Sequence, residues 1–169
     1  DSPMTHLARA LVPCVVTLPL LGAGLTLVSV RKPRLQITIS VAVLAIIIVI
    51  ASILLVTVDD GAPIAVAVAD WPILSGIVLY VDRLAALLLL ISAIVLIAVL
   101  LFSIGQGAAD PDDETPVSIF YPSYLILAAG IFNAFIAGDL FNLYVGFEIL
   151  LVASYVLITL GSTESRIRT

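Results

Sequence analysis

The 169 residues are 62% hydrophobic and only 11% charged, against roughly 25% charged in an ordinary soluble domain, and the mean hydropathy is +1.28. Seven Lys and Arg against twelve Asp and Glu give a net charge of -5, which leaves no basic surface for a nucleic acid. One cysteine, Cys14, and one histidine, His6, exclude a disulfide framework, a thiolate metal site and a multi-histidine metal site. An all-α integral membrane protein is what this composition implies.

Five segments are long enough to cross a bilayer as helices: Ala10–Val30, Leu35–Val58, Leu84–Ile104, Val117–Ala137 and Leu140–Leu160. Each has at least the ~20 residues, predominantly apolar, that crossing the hydrocarbon core requires. They contain one formal charge, Glu148; every other charged residue lies in a connection or at an end. Hydrocarbon imposes that partition, because it cannot solvate charge. The first segment is not read as a signal peptide, since its apolar run is long and its basic cluster follows it. Pro13 and Pro19 predict a bent or loosened first span. Gly22, Gly24 and Thr26 offer it a small surface for close helix contact.

Orientation follows from Lys and Arg. Arg31, Lys32 and Arg34 lie between the first two spans, and Arg166 and Arg168 follow the fifth. Five crossings put both groups on one side, the cytoplasm, with the amino terminus outside. The loop holding Asp110, Asp112, Asp113 and Glu114 then falls inside, which the rule tolerates because carboxylates weigh little in it. It has no calcium-loop spacing.

Between the second and third spans, Asp59-Asp60-Gly61 is a turn signal, Pro63–Ala69 is rich in Val and Ala, and Ile73–Val81 is apolar but too short to span. Two short extended pieces forming an external hairpin are expected, with Trp71 and Tyr80 suited to the membrane interface. A re-entrant segment is the alternative. Asp82-Arg83 reads as a local ion pair or cap at the start of the third span. Gly138-Asp139 alone joins the fourth and fifth spans, which predicts a tight antiparallel pair. The whole of 1–169 reads as a single membrane domain.

Glu148 is the outlier. As the ninth residue of the fifth span it lies roughly 13 Å below the outer end at ~1.5 Å per residue, near the middle of a core of about 30 Å. A carboxylate there is costly unless paired or hydrated, and a group poised to change protonation is the elementary part of a proton relay or cation site. The alternative is a neutral, hydrogen-bonded acid that only joins helices. At about 100° per residue, Phe141, Tyr144, Glu148, Tyr155 and Thr159 fall within roughly 60° of one another. Tyr144, Tyr155 and Thr159 can therefore continue a relay from Glu148, or can simply bond between helices. Asp139 reads first as an N-cap and second as an ion-entry residue. Asn133, about one turn before the end of the fourth span, can face the same side as Glu148, with a structural hydrogen bond as its first reading. Arg31-Lys32-Pro33-Arg34 reads as a topology determinant with a capacity for anionic lipid. No phosphate loop, nucleophile triad or metal cluster is present in the motif content, so neither an enzyme nor a cofactor is expected.

The run Gly138-Asp139-Leu140-Phe141-Asn142-Leu143, followed by Phe147-Glu148, resembles the antiporter-like subunits shared by Mrp-type cation/proton antiporters and respiratory complex I. Within that family it is most like the D subunits of the Mrp type. Trp71-Pro72, Gly76-Ile77-Val78-Leu79 and Asp82-Arg83-Leu84 resemble the same subunits ahead of their third helix. The likeness covers the chain from about Leu7 and is strongest from Trp71 onward.

That resemblance implies a fold of about fourteen helices built around two inverted five-helix repeats, with the amino terminus outside and a short external hairpin between helices two and three. It maps the family's essential glutamate onto Glu148, which in the family pairs with a lysine two helices later. Here Lys32 is the only lysine, so the chain is expected to be the amino-terminal part of a larger subunit, or to take its lysine from another chain, and not to transport alone. The expected function is that of a proton-translocating subunit in a secondary antiporter of protons against a monovalent cation, Na+ being the first choice. Its setting would be the cell membrane of a bacterium, among other subunits of a multisubunit complex and lipid. The alternatives are the same module in a redox-driven proton pump and a purely structural membrane subunit.

Overall fold

A computed structural model of the chain describes residues 3–59, 63–67, 78–105, 119–137 and 140–167. Along it run α1 (Pro3–Leu11), α2 (Cys14–Val28), α3 (Pro33–Asp59), β1 (Ile64–Ala67), β2 (Val78–Val81), α4 (Arg83–Gly105), α5 (Phe120–Ile136) and α6 (Leu140–Ile167). Three stretches are long and apolar enough to cross a membrane: His6–Val28, Pro33–Asp59 and Arg83–Gly105. Phe120–Ile136 and Leu143–Thr159 are shorter apolar helices.

The expected single helix over 10–30 is instead two, and the helical course begins earlier, at Pro3. The break falls at Pro13, which has no N–H for the carbonyl one turn back. Val12 N–H still donates to Ala8 O at 3.1 Å, and helical bonding resumes as Val16 and Thr17 N–H donate to Pro13 O at 3.2 and 3.0 Å. The Cys14 thiol donates weakly to Ala10 O across the gap, at 3.5 Å. Ala8, Val12 and Val15 are all buried, so the same face is kept through the break.

α2 ends at Ser29, whose N–H donates to Leu25 O and Thr26 O. The turn closes as Lys32 N–H donates to Ser29 O at 2.9 Å, leaving Arg31, Lys32 and Arg34 exposed. One turn into α3, the buried Gln36 side chain donates from Nε2 to Thr26 O at 2.7 Å. A carbonyl at the end of α2 is thereby given a donor without water. Of the three small residues expected at a contact, Gly22 and Thr26 are buried and Gly24 is not. Gly24 stands about 200° round the helix from Gly22. A Cβ on Gly22 would stand 2.9 Å from Val43 Cγ2 and 3.1 Å from Leu125 Cδ1, so its absence lets α2, α3 and α5 meet at one level.

The apolar residues of α3 and α4 run right round each helix, so neighbours decide what is buried. On α3 the buried stripe runs from Gln36 and Ser40 through Leu44, Ile47, Ala51 and Leu54 to Val58. On α4 it is Ala85, Ala86, Leu89, Ala93, Leu96 and Leu100, where the alanines permit close approach. β1 and β2 pair antiparallel in the register Ile64↔Val81 to Ala67↔Val78. Leu79 of β2 also bridges to Ala137, just beyond α5. Trp71 and the tip of this segment lie outside the described residues, as does the acidic loop Asp110–Glu114. Asp82 and Arg83 do not form the local pair that their adjacency suggests. Asp82 caps α4, accepting Ala85 N–H at 2.7 Å. Arg83 reaches back to the end of α3, pairing with Asp59 at 3.1 Å and donating to Asp59 O at 3.2 Å. The ends of α3 and α5, the start of α4 and the strands thus share one end of the bundle, opposite the Arg31–Arg34 turn.

α5 is the most enclosed element. It runs from Phe120 to Ile136, the expected start at 117 lying outside the described residues, with Pro122 in the first turn, where a missing N–H is tolerated. The Tyr124 hydroxyl donates to Leu96 O of α4 at 2.5 Å. Ala128, Ala129, Phe132 and Ile136 continue the buried face. α6 runs past the expected end at 160 to Ile167.

Candidate functional site

α6 presents two contrasting faces. One packs on α5 through residues that have almost no side chain. A Cβ on Gly130 would stand 3.1 Å from the Leu150 nitrogen and 3.3 Å from Gly146 O, and a Cβ on Gly146 would stand 2.7 Å from Asn133 Nδ2. Pairing of 130 with 150 and of 133 with 146 makes the crossing antiparallel, and Ala153 is buried further along the same helix. Glycine at both backbones is what allows this approach.

The opposite face carries the expected polar stripe. Tyr144, Glu148, Tyr155 and Thr159 are all exposed, and the structure brings them together on one side of α6. Phe147, Leu151, Val152 and Ile158 flank them, also exposed. Thr159 Oγ1 donates to Tyr155 O at 2.8 Å, a bond back along its own helix. Tyr155 is 73% exposed, so nothing among the described residues covers this face. No cation meets Glu148 there: the single ion pair among the described residues is Arg83–Asp59 at the end of the bundle.

Asn133 is not part of the stripe. It is buried against Gly146, and two residues of helix place Glu148 about 200° round from that contact. At Asn133 the face of α5 that meets α6 meets its glycine, Gly146, a place that suits the structural role read first for this residue. Asp139 and the side chain of Phe141 lie outside the described residues. Among the described residues no group of three or more His, Cys, Asp or Glu is placed to hold a metal ion.

Three features of the structure escaped residue-by-residue reading: the Gln36 tie, the Gly130–Gly146 approach beside the site and the Tyr124 bond. Each had a visible signal, a polar or glycine residue inside an apolar helix, but not a visible partner.

Chemically, the arrangement offers one carboxylate and two phenols on an otherwise apolar helix surface. Hydrocarbon cannot solvate the carboxylate, so in a bilayer this face demands protein or water against it. The apolar outer faces of α3 and α4 make no such demand.

No family model matches the chain. Among curated proteins it is similar to the D subunit of the Na(+)/H(+) antiporter of Bacillus subtilis, 39% identical over 153 residues, which are 90% of this chain and 30% of that protein. Among solved structures it is similar to a chain of the Mrp complex from Dietzia sp. DQ12-45-1b, with a TM-score of 0.78 and 30% identity over 89% of this chain and 27% of that one. A chain of the membrane-bound sulfane sulfur reductase, an archaeal respiratory membrane complex, superposes with a TM-score of 0.75 and 28% identity, over 88% of this chain and 29% of that one. The chain therefore spans about 30% of the length of the curated relative it matches.

Proposed function

We propose, from the premise that this chain belongs to the antiporter-like subunit family and stands there with the D subunits of the Mrp type, that it forms part of a proton-translocating subunit of a secondary antiporter. The exchange is of protons against a monovalent cation, Na+ being favoured by the name of the Bacillus subtilis relative. Glu148 is the group that gains and loses the proton. The observation that carries this reading is the uncovered α6 face, where the one charge in the apolar spans stands in line with Tyr144, Tyr155 and Thr159.

In this reading the part of the subunit beyond these 169 residues, with partner subunits of a multisubunit membrane complex, covers that face and supplies the counter-charge. Protonation of Glu148 then biases which neighbouring arrangement is populated, because a neutral acid and a carboxylate have different affinities for a facing cation and for water. Tyr144, Tyr155 and Thr159 extend the path along α6, and Asp139 is the residue assigned to ion entry. All five apolar helical stretches cross the membrane of a bacterial cell. The Arg31–Arg34 turn lies in the cytoplasm, and the amino terminus and strand pair lie outside.

Glu148→Gln in the complete subunit, assembled in its complex, tests this. The variant keeps shape and removes the titrating group. Na+-dependent collapse of a proton gradient in everted membrane vesicles is expected to be lost while assembly is normal. Full exchange by an assembled Glu148→Gln complex would overturn the assignment and favour a structural acid. The likeness to the sulfane sulfur reductase chain supports a second reading, the same module in a redox-driven pump. A flavin or iron–sulfur protein held in the purified complex would select it.

A further inference from the structure

On α5, Asn133 is a buried polar residue that stands at the seam with α6. A leucine or alanine would fill such a position without an amide to satisfy, and a buried amide is costly unless hydrogen-bonded. Single buried asparagines in helix interfaces are best attested as devices that fix register and rotation. Here the amide lies against Gly146, a residue of α6 that has no side chain. A Cβ on Gly146 would stand 2.7 Å from Asn133 Nδ2, 3.6 Å from its Cγ and 3.7 Å from the Ala134 nitrogen. Four residues on, the seam closes again where Gly130 approaches the Leu150 backbone. Glu148 lies midway between Gly146 and Leu150 in sequence and on the far side of the helix from the seam.

We infer that Asn133 is a positioning residue: its amide, seated on Gly146 and backed by Gly130 against Leu150, sets the rotation of α6 and so the direction in which Glu148 points. This rests on the assignment of Glu148 as the titrating group only for its effect on transport. The geometric claim stands apart from it. Rotating α6 by one residue, about 100°, would put a side chain where Gly146 now is. It would also carry the carboxylate off the face it shares with Tyr144 and Tyr155.

The test uses the complete subunit in its complex, with two readouts. One is Na+-dependent proton exchange. The other is the rate at which N-ethylmaleimide labels Glu148→Cys in a subunit also carrying Cys14→Ala, which reports direction whatever the glutamate does. Gly146→Ala forces the amide to move. It is expected to lower exchange on the order of tenfold, in line with the sensitivity of reacting groups to small misplacements, and to change the labelling rate several-fold. Asn133→Ala loosens the seam and lowers exchange only a few-fold. The double variant Asn133→Ala with Gly146→Ala is expected to return to the level of Asn133→Ala, because the methyl now has room. A general weakening of the fold would make the two losses add instead.

Loss of exchange in Asn133→Ala as complete as in Glu148→Gln, with no change in labelling, would make Asn133 a relay residue and overturn the inference. Unchanged labelling in Gly146→Ala would overturn it too. If Gly146→Ala fails to assemble, Asn133→Leu, which enlarges the same contact from the other side, is expected to shift labelling of Glu148→Cys in its place. Normal exchange by Glu148→Gln together with shifted labelling would remove the functional reading and leave the positioning intact.

Discussion

Helices α4 and α6 each leave one face of the bundle uncovered, and the two faces differ in kind. α4 shows Leu87, Ile91, Ile94, Val95, Leu101 and Phe102, with no hydrogen-bonding side chain among them. α6 shows Phe147, Leu151, Val152 and Ile158, with Tyr144, Tyr155 and Glu148 in their midst. Equal exposure thus means opposite things. Lipid completes the first surface at no electrostatic cost, whereas the second lacks a neighbour as long as it faces hydrocarbon. Which face suits lipid, and which calls for protein or water, follows from that chemistry and not from burial.

The largest effect should come from erasing the difference. Val95→Asp gives α4 the acid that α6 already has. A charge near the centre of an apolar helix weighs about 2.5–3.5 kcal/mol against insertion. The amount of the subunit recovered in membranes, followed by immunoblot, is expected to fall severely. Normal recovery would mean that protein, not lipid, lies against α4.

The same contrast explains what could be read from residues alone. Three apolar spans and two shorter apolar helices were legible because hydrocarbon imposes length and excludes charge, and Glu148 stood out as the one charge inside the expected spans. The strand pair was legible from short apolar runs bounded by turn residues. Which face of α4 is buried was not, since it is apolar all round and only its alanines hint at the answer. Pro13 marked the break in the first span, but the helical course back to Pro3 ran through a polar lead-in that gave no such signal. Asp82-Arg83 shows the limit most plainly. Adjacency suggested a pair, yet the arginine's partner is Asp59, brought near by the return of the chain through the strands. Sequence left open whether Asn133 faces the same side as Glu148. Only the crossing of α5 and α6 separates the seam from the open face.

A pair of glycine substitutions sharpens the comparison at an intermediate scale. Gly130 and Gly24 are both helical, but a Cβ on Gly130 meets the backbone of α6, while a Cβ on Gly24 meets nothing within 4 Å. Backbone cannot step aside as a side chain can. Gly130→Ala is expected to lower stability by about 1–3 kcal/mol, the usual range for overpacking. Gly24→Ala should raise it by roughly 0.5–1 kcal/mol through the backbone entropy that glycine loses on folding. Thermal unfolding in detergent measures both. Destabilisation by Gly24→Ala would reveal a neighbour on the outer face of α2 and put that face in the same class as α6.

The smallest effects concern how α4 is held from within. Tyr124 and Tyr121 stand one helical turn apart on α5, both buried. The Tyr124 hydroxyl donates to Leu96 O of α4, whereas the Tyr121 hydroxyl has no partner among the described residues. Removing a made hydrogen bond costs about 0.5–1.5 kcal/mol, while removing an unsatisfied buried hydroxyl removes a penalty instead. Tyr124→Phe is therefore expected to lower stability by about 1 kcal/mol, and Tyr121→Phe to leave it unchanged or raise it. The opposite order in the same unfolding assay would place an acceptor for Tyr121 in the chain outside the described residues or in a partner. The α5 end beside the basic turn would then be, like the open face of α6, a surface that further protein completes. If the expected order holds, α4 is joined to the bundle by apolar packing, one phenol and the Arg83–Asp59 pair at its start, whereas the open face of α6 carries a carboxylate that hydrocarbon cannot solvate and that calls for protein or water against it.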